Sequence, residues 1–268
     1  MARARYVIFV CFVLLMRTGV ALADTYEQEM VSVLLEKGVH GDAIWLQAAG
    51  DEFLALLTEN TVSGDERAVI VLHSMGSHAD WPEVISPLRA AFSRRGWTTL
   101  SLQMPVLRPG SPLSEYGKTL HRAGARVQTG VNYLQEKGIP EITVIGYSFG
   151  ASAALQFLAG KASPVTAFIG ISMQPRPYLS PAFDLLGHLA RMDIPVLDIY
   201  GSRDYAEVHR TADDRRLAGK RDGYRFYNQV VIGNADHYFT GKEAELVDGI
   251  AGWLEELPTV DKNELETE

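Results

Sequence analysis

The sequence predicts an α/β fold: a mostly parallel, twisted sheet with an antiparallel hairpin at its N-terminal edge, helices on both faces and no large lid domain. Three observations carry this expectation. From Ala68 onward, short apolar runs alternate with stretches of helical spacing, the pattern of βαβ units. Before them, Ala43 to Ala48 and Phe53 to Leu57 are apolar runs separated by Ala49-Gly50-Asp51-Glu52, as in a hairpin. Further on, the β-branched run Ile142 to Ile145 leads through Gly146-Tyr147-Ser148-Phe149-Gly150 into the small-residue stretch Ala151 to Ala159, which reads as strand, sharp turn and helix.

Taken in order, the chain opens with Arg3 and Arg5, an apolar run from Tyr6 to Met16, and Ala21-Leu22-Ala23. This is the pattern of a secretory signal cleaved after Ala23, so residues 1–23 are read as a signal peptide and the protein as periplasmic or secreted. The apolar run falls short of the ~20 residues of a membrane span, so no stable span is expected after cleavage; an uncleaved anchor is the alternative. Asp24 to Gly41 reads as a lead-in helix and Ala68 to Leu72 as a buried strand ending at His73-Ser74-Met75-Gly76. Asp80 is placed to cap a helix that has Pro82 in its first turn and Val84, Ile85, Leu88 and Phe92 as its apolar stripe. Trp97 to Leu102 is the next strand, and Pro105 to Ser114 is a loop. Tyr116, Leu120, Val127, Val131 and Leu134 then share one face of a long helix that Gly138 and Pro140 end.

After the Gly-x-Ser-x-Gly segment, Val165 to Ile171 reads as a strand, Met173 to Ser180 as a proline-rich loop, and Phe183 to Leu189 as a helix. Pro195 to Tyr200 and Tyr224 to Ile232 are the last two strands, separated by a charged, solvated helix over Ala206 to Lys220. Leu246, Ile250, Trp253 and Leu254 mark the closing helix, and residues 259–268 form an acidic, disordered tail. Residues 24–258 are thus expected to build a single domain, since a chain that is 47% hydrophobic can bury one sizeable core.

Charge narrows the partners. The net charge of -8 becomes -11 once residues 1–23 leave, because they carry three arginines and no acid. Such a chain is a poor ligand for nucleic acid or anionic membrane surfaces. The only cysteine, Cys11, leaves with the signal, so no disulfide is expected. The Gly146 to Gly150 segment lacks the Gly-Lys-Ser/Thr of a phosphate loop, no dinucleotide fingerprint follows any strand, and His73 and His78 lack a third ligand at metal-binding spacing. No cofactor or metal is expected.

The chemistry centres on Ser148. On a sharp turn between strand and helix, a serine hydroxyl is exposed, and it becomes a nucleophile when a base takes its proton and an acid holds that base. In a sheet of this kind the partners follow in the order serine, acid, histidine, in loops at the carboxyl ends of strands. Asp204, in Gly201-Ser202-Arg203-Asp204, and His237, in Gly233-Asn234-Ala235-Asp236-His237, stand at those positions. Asp198, inside a strand, and Asp236, beside the histidine, are the less suited rivals for the acid. Taken singly each residue has a plain reading, as a small helix-start serine, a cap and a surface histidine; jointly they form a candidate triad. It requires His237 Nε2 within reach of Ser148 Oγ and Asp204 on the other ring nitrogen. The oxyanion donors are expected to be the N–H of Phe149 and that of Met75, with Ser74 as rival to Met75. Pro105 to Ser114 and Met173 to Ser180 are the expected pocket walls.

Together, Gly-Tyr-Ser-Phe-Gly, Gly-Ser-Arg-Asp, the late histidine and the order of elements resemble the α/β-hydrolase superfamily over nearly the whole mature chain. More narrowly, Gly76-Ser77-His78-Ala79-Asp80-Trp81-Pro82, Pro87-Leu88-Arg89, and Gly96-Trp97 to Leu107 resemble a family of exported bacterial proteins known only as a domain of unknown function. The resemblance implies a serine hydrolase acting on small-molecule or lipid-like esters. A catalytically silent relative that binds an envelope component or partner protein is the alternative, since fold alone does not fix function. The short stretch between Ile171 and Pro195 leaves no room for a large lid, which implies an open site.

Overall fold

The structure, a computed structural model, describes residues 25–60, 67–159, 162–220 and 227–257. The signal segment and the C-terminal tail lie outside the described residues. The strands β1 (Asp42–Ala48), β2 (Asp51–Thr58), β3 (Arg67–Leu72), β4 (Thr98–Leu102), β5 (Glu141–Tyr147), β6 (Val165–Ile171), β7 (Val196–Arg203) and β8 (Tyr227–Asp236) form one sheet. Their order is β1-β2-β4-β3-β5-β6-β7-β8. Only β2 runs against its neighbours β1 and β4; every other pair is parallel. At the edge hairpin, Asp51 and Glu52 belong to β2, and the turn shrinks to Ala49 and Gly50. Both have positive φ, 51° and 87°, the handedness that matches the twist of the strands.

Side-chain alternation explains why helices cover both faces. In β3, Ala68, Ile70 and Leu72 enter one core with residues of α3 (Tyr116–Glu136), α4 (Phe149–Leu158) and α5 (Leu185–Leu189). Val69 and Val71 enter the opposite core with α2 (Ile85–Arg94) and α8 (Glu243–Glu255). Strands buried on both faces need continuous apolar runs, as these are. A smaller cluster seats α1 (Thr25–Glu36) through Val31 and Leu34 on Leu54 and Leu56 of β2. Glu27 of α1 pairs at 2.7 Å with Arg126 of α3, and both are buried. Among the described residues no helix is long and apolar enough to cross a membrane.

Four expectations need correction. Asp80 does not cap α2, whose cap residue Val84 offers no side-chain bond; its carboxylate is drawn instead to the buried guanidinium of Arg89. The charged segment after Asp204 breaks at Thr211 into α6 (Ala206–Arg210) and α7 (Ala212–Gly219), and it is not wholly solvated, because Arg215 is buried against Asp198. The loops expected to carry Asp204 and His237 are largely strand. After a register shift, β7 and β8 pair as far as Arg203 with Asp236, so each of the two residues is the first beyond a paired strand end. Finally, the loop Pro105 to Ser114 is no pocket wall: Val106 is buried, its N–H donating to Glu27, and the Leu107 N–H donates to the Tyr116 hydroxyl.

Candidate active site

After β4 the chain crosses β3 to form β5, so connections leave the carboxyl ends of β3 and β5 in opposite directions and open a crevice between them. A cavity of about 370 Å³ lies there. It is bordered by Ser74, Met75, Gly76 and Ser77 after β3, Tyr147 and Ser148 at β5, Arg176 and Tyr178 after β6, and Tyr205 and His237 after β7 and β8.

Ser148 sits on a strained bend with φ 54° and ψ −105°, and Phe149 opens α4 immediately after it. Close packing forces the bend. A Cβ on Gly150 would lie 2.3 Å from the Leu72 carbonyl oxygen, and one on Gly146 would lie 2.5 Å from Ala151 Cα. Strand and helix close up only because both positions lack a side chain. The first N–H groups of a helix have no intrahelical acceptor, which leaves that of Phe149 suited to a developing negative charge.

Across the cavity, His237 Nδ1 meets Asp204 Oδ1 at 2.7 Å. The carboxylate is held from two further directions, by the Tyr205 N–H to Oδ1 at 2.7 Å and by the Ser172 hydroxyl to Oδ2 at 2.5 Å. Burial alone would raise the Asp204 pKa, but the bonds from His237 and Ser172 outweigh it and hold the group below the usual carboxylate value. The imidazole lies flat against Tyr205, with centroids 4.0 Å apart and planes at 17°. Tyr147 donates its hydroxyl to the His237 carbonyl at 3.1 Å, tying the serine turn to the histidine. Burial pushes the Tyr147 pKa upward, so it remains a donor. A hydrogen bond to the Tyr238 hydroxyl, followed by burial, pushes Tyr205 up to about 12.

One required contact is absent. Among the described residues Ser148 Oγ has no hydrogen bond to His237; it accepts one from Arg176 Nη2 at 2.8 Å. Arg176 occupies a lone pair of the hydroxyl and leaves its proton free, so this contact and transfer to His237 are chemically compatible.

The rivals for the acid are engaged elsewhere. Asp198 is fully buried and accepts from Arg215, Tyr227 and Gln229. Asp236 Oδ1 accepts from the N–H groups of Tyr238 and Thr240, capping the turn after β8. His73 is buried and neutral, its pKa pushed down to about 3 by burial. Its Nδ1 bonds to the Ser74 carbonyl at 2.7 Å, and its Nε2 accepts from the Met104 N–H at 2.8 Å. Gln103 accepts from the Ala79 N–H, and Ser101 donates to the Ala79 carbonyl. The segments 73–80 and 101–104 therefore lock together, and the lock shapes the loop where Ser74 and Met75 border the cavity. Among the described residues no group of three or more His, Cys, Asp or Glu side chains is placed to hold a metal ion.

Sequence reasoning did not single out Arg176, Ser172, Tyr205 or Tyr147 for roles in the site. Position offered a signal for Ser172, which follows a parallel strand at the level where Ser148 and Asp204 leave theirs. Arg176 is the only cation in Met173 to Ser180.

A family model described as "Protein of unknown function (DUF3530)" matches residues 16–119 and 109–256. No curated protein matches the chain. Among solved structures the chain is similar to Est1E from Butyrivibrio proteoclasticus, at 14% identity and TM-score 0.65, covering 80% of this chain and 98% of that one. It is also similar to dienelactone hydrolase from Anabaena variabilis, at 18% identity and TM-score 0.65, covering 80% and 96%. The esterase PF2001 of Pyrococcus furiosus matches at 16% identity and TM-score 0.62, covering 82% and 92%. At such identities the likeness is one of fold, and the fold is that of the α/β hydrolases.

Proposed function

The chain belongs to the family described as a protein of unknown function (DUF3530), in the α/β-hydrolase superfamily, and from that premise we propose that it is a serine hydrolase cleaving esters through an acyl-enzyme. The observation that carries this reading is the 2.7 Å Asp204–His237 bond on the rim of the cavity that Ser148 enters from a strained turn.

In the reaction, Ser148 Oγ attacks the ester carbonyl carbon while its proton passes to His237 Nε2. The carbonyl electron pair moves to oxygen, where the Phe149 N–H and that of Met75 or Ser74 stabilise it; one such donor is worth about 2.7–4 kcal/mol. Collapse expels the alkoxide, which takes the proton from His237. Water then attacks the acyl-enzyme, gives a proton to His237 and releases Ser148, which takes that proton back. Asp204 keeps Nδ1 protonated throughout and stabilises the imidazolium. Esters lead the candidate substrates because an alkoxide leaves more readily than an amine; small or lipid-like acyl groups fit a site without a lid domain.

Hydrolysis of 4-nitrophenyl acetate and butyrate tests the reading. Wild type should exceed background, and Ser148→Ala and His237→Ala should fall by about 10³-fold or more. The second reading, a silent fold that binds an envelope component or partner protein, draws on Ser148 Oγ being held by Arg176 rather than His237. Equal, background rates for all three proteins would favour it.

A further inference from the structure

Among the described residues four arginines are buried: Arg89, Arg126, Arg176 and Arg215. Three of them face a carboxylate within the fold, Asp80, Glu27 and Asp198 respectively. Arg176, only 5% exposed, forms no ion pair among the described residues. Its Nη1 donates to the Tyr178 hydroxyl and its Nη2 to Ser148 Oγ, both at 2.8 Å, while Nε is buried without a partner. Also bordering the cavity, from the loop after β3, the Ser77 hydroxyl is buried and unpartnered among the described residues. A guanidinium stays charged at any physiological pH and is recognised best by planar, bidentate oxyanions. Burying one without a counter-ion is costly unless an anion joins it. This cation borders the cavity beside the nucleophile, and among the described residues no anion matches it.

We infer that Arg176 is the receptor for a carboxylate on the substrate, so that the esters cleaved are half-esters of short dicarboxylic acids, with the free carboxylate on the acyl side. The 2.8 Å separation of Nη2 from Ser148 Oγ sets the spacer. Once Oγ bonds to the scissile carbonyl carbon, only a carboxylate one or two carbons away reaches the guanidinium. On arrival it takes the donors now shared with the serine, and Ser148 Oγ is released to turn toward His237. The free carboxylate undergoes no bond change; the ester bond is cleaved as above. This assignment rests on the serine-hydrolase reading and specifies its substrate class.

Matched pairs test it without depending on any one variant. Monoethyl malonate is compared with ethyl malonamate, and monoethyl succinate with ethyl succinamate, each pair differing only in carboxylate against neutral amide, with ethanol release as the readout. Wild type should favour the carboxylate by tenfold or more in kcat/KM in at least one pair. Arg176→Gln should bring that ratio to about one, and Arg176→Lys should keep part of it. Any effect of the substitution on Ser148 itself is common to both members of a pair and cancels in the ratio. A wild-type ratio near or below one in both pairs overturns the assignment, as does a preference that survives Arg176→Gln. If Arg176→Gln does not fold, the wild-type ratios and Arg176→Lys decide. Turnover of neutral esters without preference removes this inference alone, whereas no turnover together with no labelling of Ser148 by an active-site-directed fluorophosphonate removes the hydrolase reading with it.

Discussion

Asp198 and Asp204 lie on β7 and just past its end, and their surroundings assign them different work. Asp198 is fully buried and bound to the buried Arg215, and Tyr227 and Gln229 donate to the same oxygen, Oδ2, that accepts from Arg215 Nε. Breaking such a pair by removing one charge typically costs about 3–5 kcal/mol. Asp204 faces the histidine that borders the cavity. Asp198→Asn should therefore lower the urea midpoint sharply while the folded protein hydrolyses 4-nitrophenyl esters at the wild-type rate. Asp204→Asn should lower kcat by about 10⁴-fold, through loss of the correct imidazole tautomer, with a smaller change in stability. Urea titration and steady-state kinetics on both variants check the contrast; a reversed pattern would move the acid to Asp198. Position relative to strand ends separated the two residues in the sequence already. The anchors Ser172 and Tyr205 were not visible there, because the contacts Ser172 makes to Asp204 and Tyr205 to His237 each join segments more than 30 residues apart.

At the scale of elements, the serine turn is the piece most fully written in local sequence. An apolar run, a glycine on each side of Ser148 and a small-residue helix are enough to specify it. The requirement at Gly150 is steric, since its missing Cβ would meet the backbone carbonyl of Leu72, which has no rotamer to change. Gly150→Ala should destabilise the fold by at least ~1–3 kcal/mol, as overpacking does, and depress turnover by moving Ser148. Thermal melts alongside ester hydrolysis measure both effects, and a variant as stable and active as wild type would remove the close-packing explanation. Loops are less legible in local sequence. Met173 to Ser180 and Pro105 to Ser114 have similar proline-rich composition, yet only the first borders the cavity. The second is held away from it by Glu27, a residue of the N-terminal helix that no local pattern connects to it. The extent of the sheet is hidden for a related reason: Gly233 and Asn234 are turn-favouring residue types, but pairing with β7 keeps β8 going to Asp236.

Across the whole molecule, the sheet order places the crevice and two buried histidine-bearing segments frame it. His73 is neutral because burial holds its pKa at about 3 instead of 6.5, whereas the unfolded chain binds that proton at 6.5. The unfolded state therefore holds more protons between these values, so stability falls as pH drops from about 6.5 toward 3, by up to ~1.4 kcal/mol per unit. His78, lowered mainly by partial burial, adds in the same direction. Asp204, held below 3.8, adds stability that is fully present above 3.8 and lost as pH falls through its lower folded value. Urea midpoints between pH 7 and pH 5 should therefore decline in wild type and decline less in His73→Gln; equal slopes would place the proton uptake elsewhere. Fold class and the sequence of elements along the chain follow from alternation of elements and are legible in the sequence; the order of strands within the sheet comes from the structure. Which cations and hydroxyls converge on Ser148 is not legible in the sequence either, because that depends on how distant strand ends meet.

The central claim is that Ser148 is an activated nucleophile, and an active-site-directed fluorophosphonate tests it most directly. Intact-mass spectrometry of the folded protein should show one adduct, peptide mapping should place it on Ser148, and Ser148→Ala should take up none. Correctly folded wild type that stays unlabelled, or an adduct that persists in Ser148→Ala, would contradict it.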